Sequence, residues 1–484
     1  MKIFLIFCNT LFEINYLKKK YNINLKNEYD KIIIVEHSIH FTKYNFGKTK
    51  LVYHKSTMLE YKDYLLQNNI KVDYIDILNF NNKIFYKKNI DYFCIDPLDK
   101  ELTEELNENN VKIYENKNFL LTYNEHTDIA KDINNIRFTS FYEKIKKKYN
   151  YSYKSMDTEN RLVFPKNLIS KIPDRVTDML EYNKKNINVI NAKKYINQYF
   201  KNNPPYYEYD IPIILPINHK DSLNYFNNFI ELYALNNFSD YQDAIIAPEL
   251  SLSGAVLLYH SGISASLNNG LITVDVLLNI TFKKFKYNKT KKKEEIRFME
   301  NLFRQLSFRE HQLYCFINKN IYKQIIENNY LKCYNNNLNK ELYNSTTKIK
   351  ILDDYIKLAF HFGYIHHIIR LMLFSIYFLF KEINPLLCMR WMIEFSCDSY
   401  EFIMIGNVFL MCYSNIITLN NKKVFGFNKS YIHTSNYLKK MSIGYKNEDY
   451  GNWDQLFYSF VKKKYNKLKI FNARMPFLKQ IINK

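Results

Sequence analysis

Glycine, proline and tryptophan are scarce in this chain, at 9, 10 and 2 of 484 residues. So few turn-formers argue against collagen-like, Pro-rich or Gly/Ser-linker architectures. The seven cysteines form no CxxC pair, and an odd number leaves a disulfide framework incomplete. A reducing, intracellular setting is therefore expected, cytoplasmic or nuclear and not secreted. No GxGxxG follows the first apolar run, so the common dinucleotide fingerprint is not supported there. Long hydrophobic runs are missing too. LMLFSIYFLF (371–380) is bounded by Arg370 and Lys381 and falls short of the ~20 residues of a spanning helix, so it predicts a buried core helix and no membrane partner. The start, MKIFLIF, leads into Glu13 and a Lys run with no small-residue cleavage site, so no signal peptide is expected.

Hydrophobic residues at 47% and aromatics at 17% describe a globular chain, and its length predicts two or three domains. Asn, Lys, Ile, Tyr and Phe abound, a bias toward residues with A/T-rich codons. That discounts part of the net charge of +21, although a basic surface still favours anionic partners such as nucleic acid. The runs KIFLIF, DKIIIVEH, IDYFCIDP and VKIYEN read as strands, and DYLLQNNIKVDYIDI as helix, turn and strand. Strands alternating with helical segments predict a doubly wound, mostly parallel α/β domain over 1–125. Residues 126–215, charged and Asn-rich, read as a connector. From 216 to 484 long amphipathic runs predict a mostly α domain.

Three stretches could carry chemistry. In GYIHHIIRLM (363–372), helical spacing puts His366 and Arg370 on one face. Arg370, if buried, needs a carboxylate, and Asp398 is a candidate. The plainer reading makes one histidine a satisfied core residue and leaves the other capping a cavity; no metal spacing lies nearby. In LLYHSGISASLNNGLIT (257–273), Ser261, Ser264 and Gly270 suit a phosphate-holding turn, or an ordinary helix cap. In RQLSFREHQLYCF (304–316), Arg309 and Glu310 read as a surface ion pair worth ~0–1 kcal/mol.

Taken in order along the chain, these stretches resemble the cryptochrome/photolyase superfamily. The branch they resemble is that of the deoxyribodipyrimidine photolyase-related proteins, the iron–sulfur bacterial cryptochromes and (6-4) photolyases. IFCNTLFE (6–13), IIIVEHSIHFTKYNFGKTKLVYHKSTMLEY (32–61) and SFYEKIKKKYNYSYKSMDTENRLVFP (140–165), with Asp157 to Arg161, are similar to the branch's opening strands and linker. NFSDYQDA, SFRE and KSYIHTSNYLKKMS follow in family order. The resemblance implies an α/β domain and a helical FAD-binding domain. It implies that Tyr241, Ser261, Ile263, Ser264 and Asn268 hold FAD, with Arg370 beside the flavin and Asp398 as its partner. His366 and His367 match lesion-facing histidines, Glu310 an acid that reads the flipped-out lesion, and Tyr431 and Tyr437 its pocket. Trp391 matches an electron-transfer position.

The departures carry expectations of their own. No cysteine lies in 442–460, and the branch's first cluster position falls near Ile351, so no [4Fe–4S] cluster is predicted. The family's Trp-Arg-Glu is here Phe308-Arg309-Glu310, and Gly262 replaces a basic residue. Met404 falls at the acidic position beside flavin N5 and could not exchange a proton with it. The antenna chromophore's site has no motif, which leaves an antenna of unspecified identity open. The resemblance thus implies a monomeric, light-dependent DNA photolyase acting on UV-damaged DNA. The alternatives are a cryptochrome-like flavin- and DNA-binding protein without repair activity, and a nucleic-acid-binding protein whose flavin site has decayed.

Overall fold

The computed structural model describes residues 1–81, 85–132, 137–151, 154–155, 162–206, 209–232, 241–286, 293–419, 422–426 and 430–482. The Asp157–Arg161 motif and residues 237–240 of NFSDYQDA lie outside the described residues.

Five parallel strands form the N-terminal sheet: β1 (Lys2–Ile6), β2 (Lys31–Val35), β3 (Val72–Ile75), β4 (Asp91–Ile95) and β5 (Lys112–Tyr114). Their order is β3-β2-β1-β4-β5, so the winding reverses between β1 and β4. β1 and β2 are buried at nearly every position, which explains their continuous apolar runs: helices cover both faces of a parallel sheet. The period of two still sorts the side chains. Ile3, Leu5, Ile33 and Val35 face a small core closed by Leu102 and Leu106 of helix Lys100–Glu108. Phe4, Ile6, Ile32 and Ile34 face the other way, into a core continuous with the rest of the molecule.

Helix Lys48–Gln67 explains that continuity. It is buried along most of its first half, lysines included, because helix Ile187–Tyr199 packs along it and helices Lys350–Phe362 and Pro385–Phe395 also touch it. The connector of 126–215 is therefore largely packed helix, with Phe138–Lys148, Arg175–Lys184 and Ile187–Tyr199 all contributing buried residues. Beyond 216 the described chain is mostly helical. Its longest helix, Lys293–Ile317, touches Phe138–Lys148 and Glu401–Ile405. The 371–380 stretch is core, as its length required: Leu373 to Leu379 are almost fully buried. Among the described residues no helix is long and apolar enough to cross a membrane.

Candidate functional site

Gly363 ends helix Lys350–Phe362 with a φ of +62, in the left-handed region that favours glycine. A Cβ there would meet Cys397 Sγ at 2.7 Å. The chain then runs through Tyr364–His366 without helical structure, turns helical at His367, and is π-helical over Ile369–Ser375. His366 therefore precedes the helix and does not share an α-helical face with Arg370, which corrects the spacing argument. Wide turns of this type recur at functional sites. Here Arg370 Nε donates to the Ile365 carbonyl, five residues back, at 2.7 Å. Ser375 Oγ donates to the Arg370 carbonyl at 2.7 Å.

Arg370 meets Asp398 in a two-pronged contact, Nη1 to Oδ1 at 2.7 Å and Nη2 to Oδ2 at 3.3 Å. The same carboxylate accepts from Ser264 Oγ and Ser396 Oγ, each at 2.6 Å, and the Asp398 carbonyl accepts from Asn268 Nδ2 at 2.8 Å. Burial alone would push the Asp398 carboxyl up. The Arg370 cation and the serine hydroxyls outweigh it and hold the group below the ordinary carboxylate value. Ser264, Asn268, Arg370 and Asp398 thus form one hydrogen-bonded unit from three distant stretches of sequence. Ile263 is buried in the same turn, and Ser261 is half-buried beside it.

Three imidazoles adjoin this unit. His366 is fully buried, and neither of its ring nitrogens has a partner among the described residues. It stacks on His260 with ring centroids 4.8 Å apart, and His260 meets His367 edge-on at 4.9 Å. His260 is anchored through Nε2 to the Gln242 carbonyl at 3.0 Å. His367 is exposed by surface area, yet protein surrounds it closely enough to depress its pKa to about 4, with Arg370 and Arg304 adding to burial. A side chain with both properties faces into a concavity. Burial and the neighbouring histidines hold His366 neutral as well. The two histidines of GYIHHIIRLM are therefore divided, His366 inward and His367 outward.

The other candidates stand at varying remove. Tyr241 is half-buried, its ring 5.2 Å from Phe164. The Tyr437 ring lies 4.5 Å from His433, whose Nε2 contacts the carbonyl of Met372 in the π turn. Tyr431 is half-buried just before helix Ser435–Met441. Trp391 is fully buried; its indole N–H donates to the Leu342 carbonyl, and four phenylalanine rings surround it, including Phe395 at 5.1 Å. Phe395 in turn lies 5.9 Å from the Arg370 guanidinium. Met404 is 5% exposed, just ahead of a second π turn, Gly406–Cys412.

Arg309 and Glu310 are not a surface pair. Glu310 is fully buried and accepts from the N–H groups of Leu120 and Leu121, at 2.7 and 3.2 Å, and contacts His126 Nε2 at 3.2 Å. Arg309, also buried, donates to Asn268 Oδ1 at 2.8 Å and to the Asn118 carbonyl at 2.6 Å. Both side chains bind the first layer to the helical one, and a nucleobase could meet Glu310 only by displacing these partners. Sequence reasoning passed over three residues. His260 lay inside a quoted motif. Arg175 and Tyr225 had no motif, yet Arg175 donates to the His260 and Ser261 carbonyls and to Tyr225 Oη, each at 2.6 Å. All seven cysteines are buried and free, and no described group of three or more His, Cys, Asp or Glu is arranged to hold a metal ion.

A parallel sheet wound about β1 and β4 followed by a helical remainder is the fold of the cryptochrome/photolyase superfamily. A family model described as deoxyribodipyrimidine photo-lyase-related protein matches residues 4–204 of this chain. The match ends before Ser261, so the site itself rests on its geometry. Two solved structures share the fold over 99% of this chain. A bacterial class III photolyase from Agrobacterium tumefaciens is 12% identical, with TM-score 0.54 and 91% of its own chain covered. A cryptochrome from Synechocystis sp. PCC6803 is 11% identical, with TM-score 0.55 and 89% covered. The uncharacterized protein R855 of Acanthamoeba polyphaga mimivirus is 39% identical over 89 residues, which are 18% of this chain and 67% of that protein.

Proposed function

We propose that the protein is a light-dependent flavoprotein that repairs UV photoproducts in DNA. One observation carries this reading: the Arg370–Asp398 pair is bonded to the Ser264–Asn268 segment on one side, and on the other stands next to His367, open to a concavity. The residues fit FAD. Gly262, with a φ of +70 and Tyr225 Oη 2.7 Å from where a Cβ would sit, forms a tight turn between two serines. Such turns gather backbone N–H groups into an anion-binding nest. Beside it stand a fixed cation and a buried imidazole with no partner for either nitrogen among the described residues.

In this reading Tyr241, Ser261, Ile263, Ser264 and Asn268 hold the phosphate and ribityl parts of FAD. Arg370, fixed by Asp398, stands beside its ring system. When bound and reduced, FAD supplies one electron to the photoproduct on absorbing near-UV or blue light. The chain's own contribution is electrostatic. Arg370 cannot lose its proton, and Asp398 fixes its position, so its charge favours an anionic ligand at no cost in reorganisation. His367 is neutral near pH 7, because the Arg370 and Arg304 cations add to the effect of burial. An anionic ligand would offset those cations and raise its pKa, so that the imidazole gains a proton on binding and can donate it to the photoproduct. Extruding a damaged base costs less than extruding a paired one, which favours lesions over intact DNA. Surface lysines add phosphate contacts that read no sequence.

The test is repair of UV-irradiated duplex by purified protein in light and in darkness. Light-dependent loss of photoproduct is expected, slowed at least ~100-fold in His367→Ala, the lower range for a lost general acid. No light-dependent repair would reject the enzymatic reading. The cryptochrome-like alternative would then stand, and the full burial of Glu310 and His366 and the apolar Met404 are the observations that favour it.

A further inference from the structure

We infer that Arg175, from the connector, is the positioning residue of the Ser261–Ser264 turn and gives that turn its affinity for a phosphate-bearing ligand. The inference rests on the flavin reading above and extends it to a residue outside every motif. The turn Ser261-Gly262-Ile263-Ser264 contains no cation of its own. Arg175, only 4% exposed at the start of helix Arg175–Lys184, supplies one from behind.

The geometry explains how. Nη1 donates to the His260 carbonyl, and Nη2 to the Ser261 carbonyl and Tyr225 Oη, all at 2.6 Å. A trans peptide points its N–H opposite its C=O. Holding the two carbonyls therefore turns the Ser261 and Gly262 N–H groups away from the guanidinium, and neither donates to a group among the described residues. Two N–H groups aimed the same way around a residue of positive φ make a nest for an anion. The guanidinium polarises both peptides, which strengthens their N–H ends. Tyr225 fixes Arg175 in turn: its ring lies 5.0 Å from the guanidinium, and its hydroxyl fills the space a Cβ at 262 would need. Because the first carbonyl belongs to His260, the same contact also sets the backbone of the residue that carries the imidazole stack.

A merely structural arginine and a phosphate-positioning one differ in what their loss does to two flavins. Apo protein is titrated with FAD, which has a diphosphate, and with riboflavin, which has none; melting is followed with and without inorganic pyrophosphate. Arg175→Met is expected to weaken FAD at least ~30-fold and riboflavin less than ~3-fold, since lost hydrogen bonds to a charged group are worth about 10- to 150-fold together. Pyrophosphate should raise the melting temperature of the wild type and not of this variant. Should Arg175→Met fail to fold, Arg175→Lys decides, with an expected ~10-fold loss for FAD and less than ~3-fold for riboflavin. Parallel losses for FAD and riboflavin, or unchanged FAD binding in both arginine variants, would overturn the inference. A wild type that binds pyrophosphate but no flavin would overturn the flavin reading and leave the role of Arg175 standing. One that binds neither would overturn both.

Discussion

At the carboxyl ends of the sheet strands the polar groups are plugged by the chain itself, whereas across the 396–400 loop Arg370 and His367 keep one side open. The switch point between β1 and β4 is where sheets of this winding usually take a ligand. Beside it, at the ends of β2 and β3, Glu36 accepts from Lys55 Nζ at 2.6 Å, from the Ile77 N–H and from Tyr74. Lys50 Nζ reaches the Ile393 and Ser399 carbonyls at 2.7 and 2.9 Å. What remains is a cavity of about 20 Å³ lined by His40, Lys50, Asp99, Tyr400 and Glu401, room for about one water. An antenna chromophore entering there would have to displace Lys50 or Lys55. The closed cluster and the open one are also coupled, because Lys50 holds the backbone on either side of Asp398. One pocket has become the scaffold of the other.

Breaking the open cluster should have the largest effect. Asp398→Asn leaves Arg370 buried without its counter-charge, at about 3–5 kcal/mol of stability, and should abolish flavin retention; denaturant titration and absorbance check both. The carboxyl is held below its ordinary value, so its contribution is present above the ordinary carboxylate pKa and fades as the pH falls through the depressed one. The variant should lose that acid dependence. A smaller loss is expected at the joint between layers: Glu310→Gln should cost about 1–3 kcal/mol with flavin content unchanged. A variant of full stability that no longer repairs lesions would instead return Glu310 to the lesion-reading role.

The closed cluster has a pH signature. Burial lowers the Lys50 amine to about 8, whereas an unfolded lysine titrates near ~10.4. Between those values the unfolded chain binds the extra proton, so stability rises with pH, by at most about 1.4 kcal/mol per unit. Lys50→Met should remove that slope in melts between pH 8 and 10, and an unchanged slope would place its origin elsewhere. The smallest effect on stability belongs to His367→Ala, within ~0.5 kcal/mol as for an exposed side chain. His366→Ala, which empties a buried stack, should cost more than ~1 kcal/mol. Equal losses would erase the division between the two histidines.

The sheet was legible because β1, β2 and β4 are short apolar runs. All five strands lie within the runs KIFLIF, DKIIIVEH, IKVDYIDI, IDYFCIDP and VKIYEN. The pairing of Arg370 with Asp398 could be anticipated since a buried cation needs a carboxylate. The π turn could not, because nothing in RLMLFS distinguishes a five-residue hydrogen-bond step from a four-residue one. Nor does the sequence mark the helix start at His367, which leaves His366 outside the helix and off the face assigned to it. Glu310 was misjudged from its neighbour alone: adjacent opposite charges suggest a surface pair, while its partners lie about 190 residues earlier in the chain. Arg175 acts mainly on backbone carbonyls, and those leave no trace in side-chain patterns.

The central claim is that the open cluster holds a flavin, and the visible absorption spectrum of the purified full chain tests it most directly. The account predicts flavin at near one-to-one stoichiometry, released on denaturation, without broad iron–sulfur absorption. Protein that carries no flavin and takes up none from added FAD would contradict it.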